Sequence, residues 1–288
     1  MTGAGEGAVG LLVLVPTPLG NLGDLPPRAA AMLAEADVVA CEDTRHTAKL
    51  LALVGIRAKR LVAVHEHNEA AMADVLVGWI REGQTVALVT DAGLPGVSDP
   101  GERVVRAAAD AGLRVSVVPG PSAGVAALVI SGLSTERWVF EGFLPRKGPD
   151  RSQRLRDVAG ESRTVVLYEA PHRLRATLTA LQDACGPHRR VVIVRELTKL
   201  HEEVWRGSLA DACSRAGAPR GEHVLVLEGA PPPDAATDEV IGAALARELA
   251  HGGDRRRAIA AVAAGLGVPK GRVYDLAVVL REGDKPAG

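Results

Sequence analysis

Short, continuously apolar runs alternate along the first half of the chain with stretches whose apolar residues recur at helical spacing. Residues 11–16 read as a buried strand, being short and continuously apolar, and 38–40, 61–64, 85–89 and 114–118 read as further strands. Between them, residues 26–36, 46–54 and 68–82 read as helices, the last with Ala71, Val75, Leu76 and Trp79 on one face. A further helix is expected after Asp99, which can cap it. Pro100 suits its first position, Glu102 completes a capping box and Gly112 closes it. Strand–helix alternation at this spacing predicts a parallel, doubly wound α/β sheet.

A second α/β unit is expected from about Glu136. Strands are predicted at 138–143, 164–168, 190–195, 202–206 and 223–227, and helices at 152–159, 171–184 and 208–216. The link between 190–195 and 202–206 has hairpin length, so this sheet should be mixed. Pro231-Pro232-Pro233 reads as a stiff spacer. Helices at 238–250, 255–265 and 269–281 follow, with a helix-turn-helix-like joint over Gly265-Leu266-Gly267-Val268-Pro269. The expected organisation is therefore a parallel domain over 10–134, a mixed-sheet domain over 135–230 and a small helical tail over 237–283.

Composition narrows the function classes. With 288 residues, 47% apolar and 24% charged, the chain has ample material for ordered cores. Its formal net charge of −1 excludes a global field favouring nucleic acid, so any RNA contact must come from local patches. Cys41, Cys185 and Cys213 are well separated, with neither disulfide-framework nor metal-type spacing. No basic segment precedes the first apolar run, and no stretch approaches the roughly 20 apolar residues of a membrane helix. A cytoplasmic globular protein is expected.

Candidate chemistry lies in the loops at the carboxyl ends of the predicted strands, where an open parallel sheet binds its ligands. Two loops stand out, Thr90–Gly101 (TDAGLPGVSDPG) and Pro119–Gly124 (PGPSAG). Glycine in such a loop lets a ligand approach the backbone. The loop Thr17–Asp24 carries only G-N-L-G, and Pro18 breaks the dinucleotide fingerprint. No Walker-type loop is found, so hydride transfer and nucleotide hydrolysis lose support. Glu42, Asp43, Thr44 and Arg45 read either as a capped helix start, with Thr44 as the cap, or as an acid–base cluster at the crevice mouth. Tyr168–Arg173 (YEAPHR) and Glu196–Lys199 (ELTK) end two strands of the second unit.

Five segments in order, 17–24 (TPLGNLGD), 41–45 (CEDTR), 91–101 (DAGLPGVSDPG), 119–123 (PGPSA) and 168–173 (YEAPHR), resemble the RsmI-type ribosomal RNA methyltransferases of the tetrapyrrole-methylase superfamily. The resemblance runs from about residue 11 to 228. It implies a two-domain α/β methyltransferase that holds S-adenosylmethionine between its domains and acts as a homodimer. The implied reaction is 2′-O-methylation of a cytidine ribose in the decoding region of 16S rRNA, within the small ribosomal subunit. The donor's methyl group is already activated, so no metal is implied.

On this resemblance Pro18, Gly20, Gly93, Leu94, Pro95, Ser122, Ala123 and Tyr168 are expected against the cofactor. Asp43, Glu42 and His172 are candidate bases, with unassisted proton transfer to water or phosphate left open. Arg45, Arg151, Arg154, Arg173 and Lys199 are candidate RNA contacts. Arg146, Lys147, Arg151, Arg154 and Arg156 crowd a linker-like stretch, and Arg255, Arg256, Arg257, Lys270 and Arg272 form a second basic cluster in the tail. The competing readings are a tetrapyrrole-precursor methylase and a non-catalytic ribosome-binding module.

Overall fold

The computed structural model describes residues 10–215, 220–231, 238–250, 254–266 and 268–283. Strands β1 (Leu11–Leu14), β2 (Val38–Cys41), β3 (Leu61–Ala63), β4 (Thr85–Val89) and β5 (Arg114–Val117) form a wholly parallel sheet in the order β3-β2-β4-β1-β5. Its central strands are buried on both faces because the chain winds helices onto each. α1 (Pro27–Glu35) and α2 (Thr44–Leu53) bring Leu33 and Leu51 against Val13, Val39 and Val89. α3 (Glu69–Arg81) and α4 (Glu102–Asp110) bring Leu76, Ile80, Val104 and Ala108 against Leu12, Val38 and Leu88.

Two local expectations are corrected. α3 does not turn Ala71 and Val75 inward. It buries Glu69, Ala73, Leu76, Val77 and Ile80, leaving Ala71 exposed, while Trp79 lies half-buried beneath the Arg60 guanidinium, 4.0 Å from the ring centre. The buried stripe contains an acid, which apolar periodicity alone discards. Asp99 does not cap α4: the helix starts at Glu102 with Gly101 as cap residue at φ 141°, and Glu102 pairs with Arg106 on the surface. The cap comes from α3. Buried Glu69 Oε1 accepts the Gly101 and Arg103 amides at 2.8 and 2.9 Å, satisfying free helix-end donors and placing negative charge at the positive end of the dipole.

The second sheet comprises β6 (Trp138–Phe143), β7 (Thr164–Glu169), β8 (Arg190–Arg195), β9 (Glu203–Ser208) and β10 (His223–Leu227), in the order β6-β7-β10-β8-β9. It is mixed: β6 and β7 are parallel, whereas β10 is antiparallel to β7 and β8, and β8–β9 is an antiparallel pair. α6 (Pro149–Gly160), α7 (Leu174–Cys185) and α8 (Leu209–Arg215) cover one face around Val165, Leu167, Leu178 and Leu225. Of the basic stretch, Arg151, Arg154 and Arg156 lie on α6, which begins three residues ahead of the predicted helix, while Arg146 and Lys147 lie in the loop before it.

α5 (Ala123–Ser131) covers the other face. Its Ala127 and Leu128 pack with Val166, Val192, Val224 and Val226. By packing, the change of lobe falls at the Pro119–Ser122 loop, ahead of residue 134. The small residues of α5 fit the valine face of the second sheet, a tertiary preference that its sequence position does not reveal.

The described residues up to Gly229 form one compact unit, and those from Ala230 onward another. The second contains α9 (Asp238–Ala250), α10 (Arg255–Leu266) and α11 (Lys270–Gly283) around Ile241, Leu245, Ile259, Val262 and Val273. Pro232 and Pro233 of the expected spacer, and Gly267 of the expected helix joint, lie outside the described residues. Among the described residues no helix is long and apolar enough to cross a membrane.

Candidate functional site

The carboxyl ends of β2 and β4 face those of β7 and the start of β10 across a cavity of about 390 Å³. That volume falls within the roughly 300–1,000 Å³ range of small-molecule sites. One wall is the loop after β4, from Asp91 to Asp99, with Glu42 beside it. The other is built from Tyr168–Pro171 and Glu222–Val224, and Ser122 and Ala123 sit at the start of α5 between them.

The β4 loop is pinned to the loop after β1. Thr17 and Gly93 exchange backbone hydrogen bonds of 2.9 and 3.1 Å, and buried Thr17 donates its hydroxyl to the Thr90 carbonyl at 3.0 Å. Gly93 sits at φ 87°, and a Cβ there would lie 3.2 Å from Leu19 Cδ2 and project beside the cavity lining. Tyr168 closes the far side, its ring edge-on to Phe140 and Phe143, while its hydroxyl accepts the Gly124 amide at 3.0 Å. Burial raises the pKa of this phenol.

Among the described residues five carboxylates line the cavity: Glu42, Asp91, Asp99, Glu169 and Glu222. Thr90 donates its hydroxyl to Glu42 Oε2 at 3.0 Å. Burial, reinforced by the charge of Glu42 and more weakly by Asp91, pushes the Asp99 carboxyl up to about 6. Asp91 Oδ1 is buried with no hydrogen-bond partner among the described residues. His223 borders the site, its pKa lowered by burial and by the charge of Arg195. Such an acid-rich wall suits a ligand of net positive charge.

Of the cofactor residues expected from sequence, Gly93, Leu94, Ser122, Ala123 and Tyr168 line this cavity, whereas Pro18, Gly20 and Pro95 do not. Pro95 is buried behind the wall. Gly20 lies beneath the Lys199 side chain, so close that a Cβ would come within 2.3 Å of Lys199 Cγ.

Of the candidate bases, only Glu42 faces the cavity. Asp43, rather than Thr44, caps α2 by accepting the Arg45 amide at 2.8 Å, and it also pairs with the Arg45 guanidinium at 3.0 Å. Those two bonds hold its carboxyl down at about 2, making it a poor proton acceptor. Arg45 is spent on the same pair and points to solvent with 90% of its side chain exposed. His172 is exposed on the short helix Pro171–Arg173 and does not line the cavity.

The expected RNA-contacting arginines are mostly engaged internally. Arg173 donates to the Leu144 carbonyl at 2.6 Å and pairs with Glu169 at 3.2 Å. Arg151 donates to the Pro145 carbonyl at 2.9 Å and to Thr177 Oγ1 at 3.3 Å, and Thr177 in turn donates to Glu169 Oε2 at 2.5 Å. Both arginines thus hold a buried carboxylate of the cavity wall, which leaves little of either fork for a phosphate. Arg154 pairs with Glu141 at 3.2 Å, and Lys199 bridges Glu196 and Glu222 at 3.1 and 3.0 Å.

Sequence reasoning missed Asp99, Asp91, Glu169, Glu222 and Phe143 as lining residues. For Asp91 and Asp99 the signal was present, since both belong to the glycine loop; the capping pattern drew Asp99 elsewhere. Glu222 and Phe143 carry no motif, and only the antiparallel placement of β10 beside β7 brings Glu222 to the cleft.

Residues 11–213 match the family model of the Tetrapyrrole (Corrin/Porphyrin) Methylases. The chain is 44% identical over 276 residues to Ribosomal RNA small subunit methyltransferase I of Synechocystis, covering 94% of this chain and 99% of that one. It is 49% identical over 225 residues to the protein of that name from Mycobacterium tuberculosis (H37Rv), covering 77% and 79%. Among solved structures, diphthine synthase superposes with a TM-score of 0.59 at 18% identity, covering 76% of this chain and 90% of that one. Uroporphyrin-III C-methyl transferase from Thermus thermophilus, complexed with S-adenyl homocysteine, superposes with a TM-score of 0.56 at 22% identity, covering 76% and 96%. At those identities the structural likeness concerns the fold.

Proposed function

Because the chain belongs to the Ribosomal RNA small subunit methyltransferase I family of the tetrapyrrole methylases, we propose that it uses S-adenosylmethionine to methylate the 2′-hydroxyl of a cytidine ribose in 16S rRNA. The observation that carries this reading is the acid-lined cavity between the two sheets, with Gly93 and the α5 start on its walls. S-adenosylmethionine combines a sulfonium, an ammonium and a carboxylate, a net cation. The five lining carboxylates complement that charge, the unpartnered Asp91 Oδ1 offers a buried acceptor, and the α5 amides at Ala123 suit a carboxylate or a hydroxyl. The residues present fit the group.

When bound, the cofactor supplies a methyl carbon activated by its sulfonium, which the ribose oxygen attacks as the carbon–sulfur bond breaks. The protein's tasks are to align the attack, exclude water and take one proton. Alignment supplies roughly 7–11 kcal/mol in well-oriented systems, whereas a positioned base supplies about 10²–10⁴-fold, so positioning dominates. Thr17 and Gly93 fix one wall, and Tyr168 with the Glu169–Arg173–Thr177–Arg151 network fixes the other. Asp99 takes the 2′-hydroxyl proton: its raised pKa makes it more basic than an ordinary carboxylate while leaving it ionised at neutral pH. Glu42 sustains that basicity by its charge.

Arg146 and Lys147, both exposed at the end of the β6 loop, are the RNA contacts of the second lobe. The active form is a homodimer. Exposed Val115 and Val117 on the edge strand β5, and Val125 and Val129 on α5, supply apolar surface for it. Acting on ribosomal RNA, the protein works in the cytoplasm.

The test is incubation of the protein with labelled S-adenosylmethionine and small subunits lacking the modification, followed by mapping of the labelled nucleotide. Label on one cytidine ribose is the expected result. Label on a base, or turnover of a tetrapyrrole precursor without ribosomal particles, overturns the reading.

A further inference from the structure

We infer that the C-terminal helical unit carries an RNA-binding groove in which Arg256, Arg257 and Lys270 contact phosphates beside an exposed Tyr274. The argument begins with which cations are already committed. Arg255 donates to the Ala277 carbonyl and ties α10 to α11, while Arg272 donates to Asp238 Oδ1 at 2.7 and 3.1 Å and ties α11 to α9. These two belong to the scaffold. Arg256, Arg257 and Lys270 are exposed and form no ion pair among the described residues.

The uncommitted cations line a concave, open groove of about 880 Å³ together with Tyr274. Among the described residues Asp254 is its only lining carboxylate, and the Asp254 side chain accepts the Arg256 amide at 3.4 Å at the start of α10. Like charges gathered on a concave wall repel one another, and an anion entering the groove relieves that repulsion. The groove is more than twice the volume of the cleft cavity and open to solvent, which suits a polymer better than a single small anion.

Tyr274 adds the second element. The chain has only two tyrosines, and this one is 56% exposed inside the basic groove, with no hydrogen bond or ring contact holding it there among the described residues. An exposed aromatic face among unpaired cations matches single-stranded or looped nucleic acid, where a base stacks while its phosphates are neutralised. A Cβ at Gly271, in the same lining, would meet nothing within 4 Å, so the bare backbone there leaves room for a ligand to approach. The chain's net charge of −1 supplies no general attraction, so the groove itself must provide it. The choice of RNA over DNA rests on the methyltransferase reading above.

The experiment compares the full-length protein with Arg256→Glu/Arg257→Glu/Lys270→Glu, a milder triple glutamine variant and Tyr274→Ala. Affinity for a decoding-region RNA hairpin is read by fluorescence anisotropy across a salt series, and S-adenosylhomocysteine binding by calorimetry. The triple glutamine variant should lower the slope of log affinity against log salt by about 2–3, the loss of three phosphate contacts. The charge-reversed variant should lose at least about thirtyfold in affinity at low salt, and Tyr274→Ala about tenfold. S-adenosylhomocysteine affinity should stay within twofold, showing that the first unit is intact. On small subunits, KM should rise with kcat retained.

Unchanged affinity and slope in the triple glutamine variant overturn the groove, as does equal affinity of the wild type for duplex DNA of matched length. The two readings fail separately. Wild-type protein that binds RNA through these residues but transfers no methyl group sinks the enzymatic reading alone. Wild-type protein that methylates subunits with a KM indifferent to the substitutions sinks the groove alone.

Discussion

Tyr168, at the end of β7, accepts the Gly124 amide at 3.0 Å, so α5 is capped by a phenol from the second sheet rather than by its own Ser122. That single bond fixes the helix start on the cleft wall. Tyr168→Phe removes the acceptor and keeps the ring, so a stability loss of about 0.5–1.5 kcal/mol is expected, read as a lower urea midpoint. Tyr168→Ala also abandons the Phe140 and Phe143 edges and should lose about 3–5 kcal/mol. Equal losses in the two variants would show that the hydroxyl, not the ring, carries the effect.

Asp99 trades stability for function. Its folded-state pKa of about 6 lies above the ordinary carboxylate value of 3.8. Between those values the folded protein holds a proton that the unfolded chain releases, so this group's contribution falls as pH rises from about 4 to 6, and the destabilisation is complete at neutral pH. Asp99→Asn should therefore be more stable than wild type by about 1–2 kcal/mol at pH 7.5, after allowance for partial solvent screening, and no more stable at pH 4. Paired thermal melts at the two pH values test this. Methyl transfer should fall by about 10²–10⁴-fold in the same variant, and the wild-type rate should decline as pH drops below about 6.

The cap that α3 lends to α4 gives a pair of contrasting substitutions. Glu69→Ala strands two amide donors of a buried helix start and should lose about 2–4 kcal/mol. Because those amides end the β4 loop, cofactor affinity should weaken as well. Glu102→Ala, at the position a capping box assigns to the reciprocal acid, removes only an exposed pair with Arg106 and should change stability by less than about 0.5 kcal/mol. Differential scanning calorimetry on both variants decides which acid is the cap.

Two loop glycines should respond differently to alanine. Gly93→Ala forces a side chain into φ 87° and toward Leu19, so a loss of about 1–2 kcal/mol is expected, with weaker S-adenosylhomocysteine binding by calorimetry. Gly20→Ala meets only the Lys199 side chain, which can swing away by giving up its pairs with Glu196 and Glu222. That should cost less than about 1 kcal/mol.

What the sequence determined by itself was local and periodic. Continuous apolar runs such as Val86-Ala87-Leu88-Val89 become strands buried on both faces, since nothing along them is polar enough to face water. The short link after Arg195 is confirmed as the antiparallel β8–β9 turn, because a crossover does not fit in so few residues. The glycine loop after β4 announced a crevice because Gly93, Gly96 and Gly101 take positive φ values that other residues avoid.

Tertiary structure decided which polar groups the crevice receives. Asp43 and Asp99 each stand near a helix start in sequence, yet Asp43 caps its helix while Asp99 is freed for the cavity because Glu69 arrives from a neighbouring helix. Arg151 and Arg173 look like phosphate forks until packing places carbonyls and Glu169 within their reach. Such choices depend on which donor and acceptor meet once the helices and sheets are packed, and a buried polar group takes the nearest partner the fold provides, however distant along the chain.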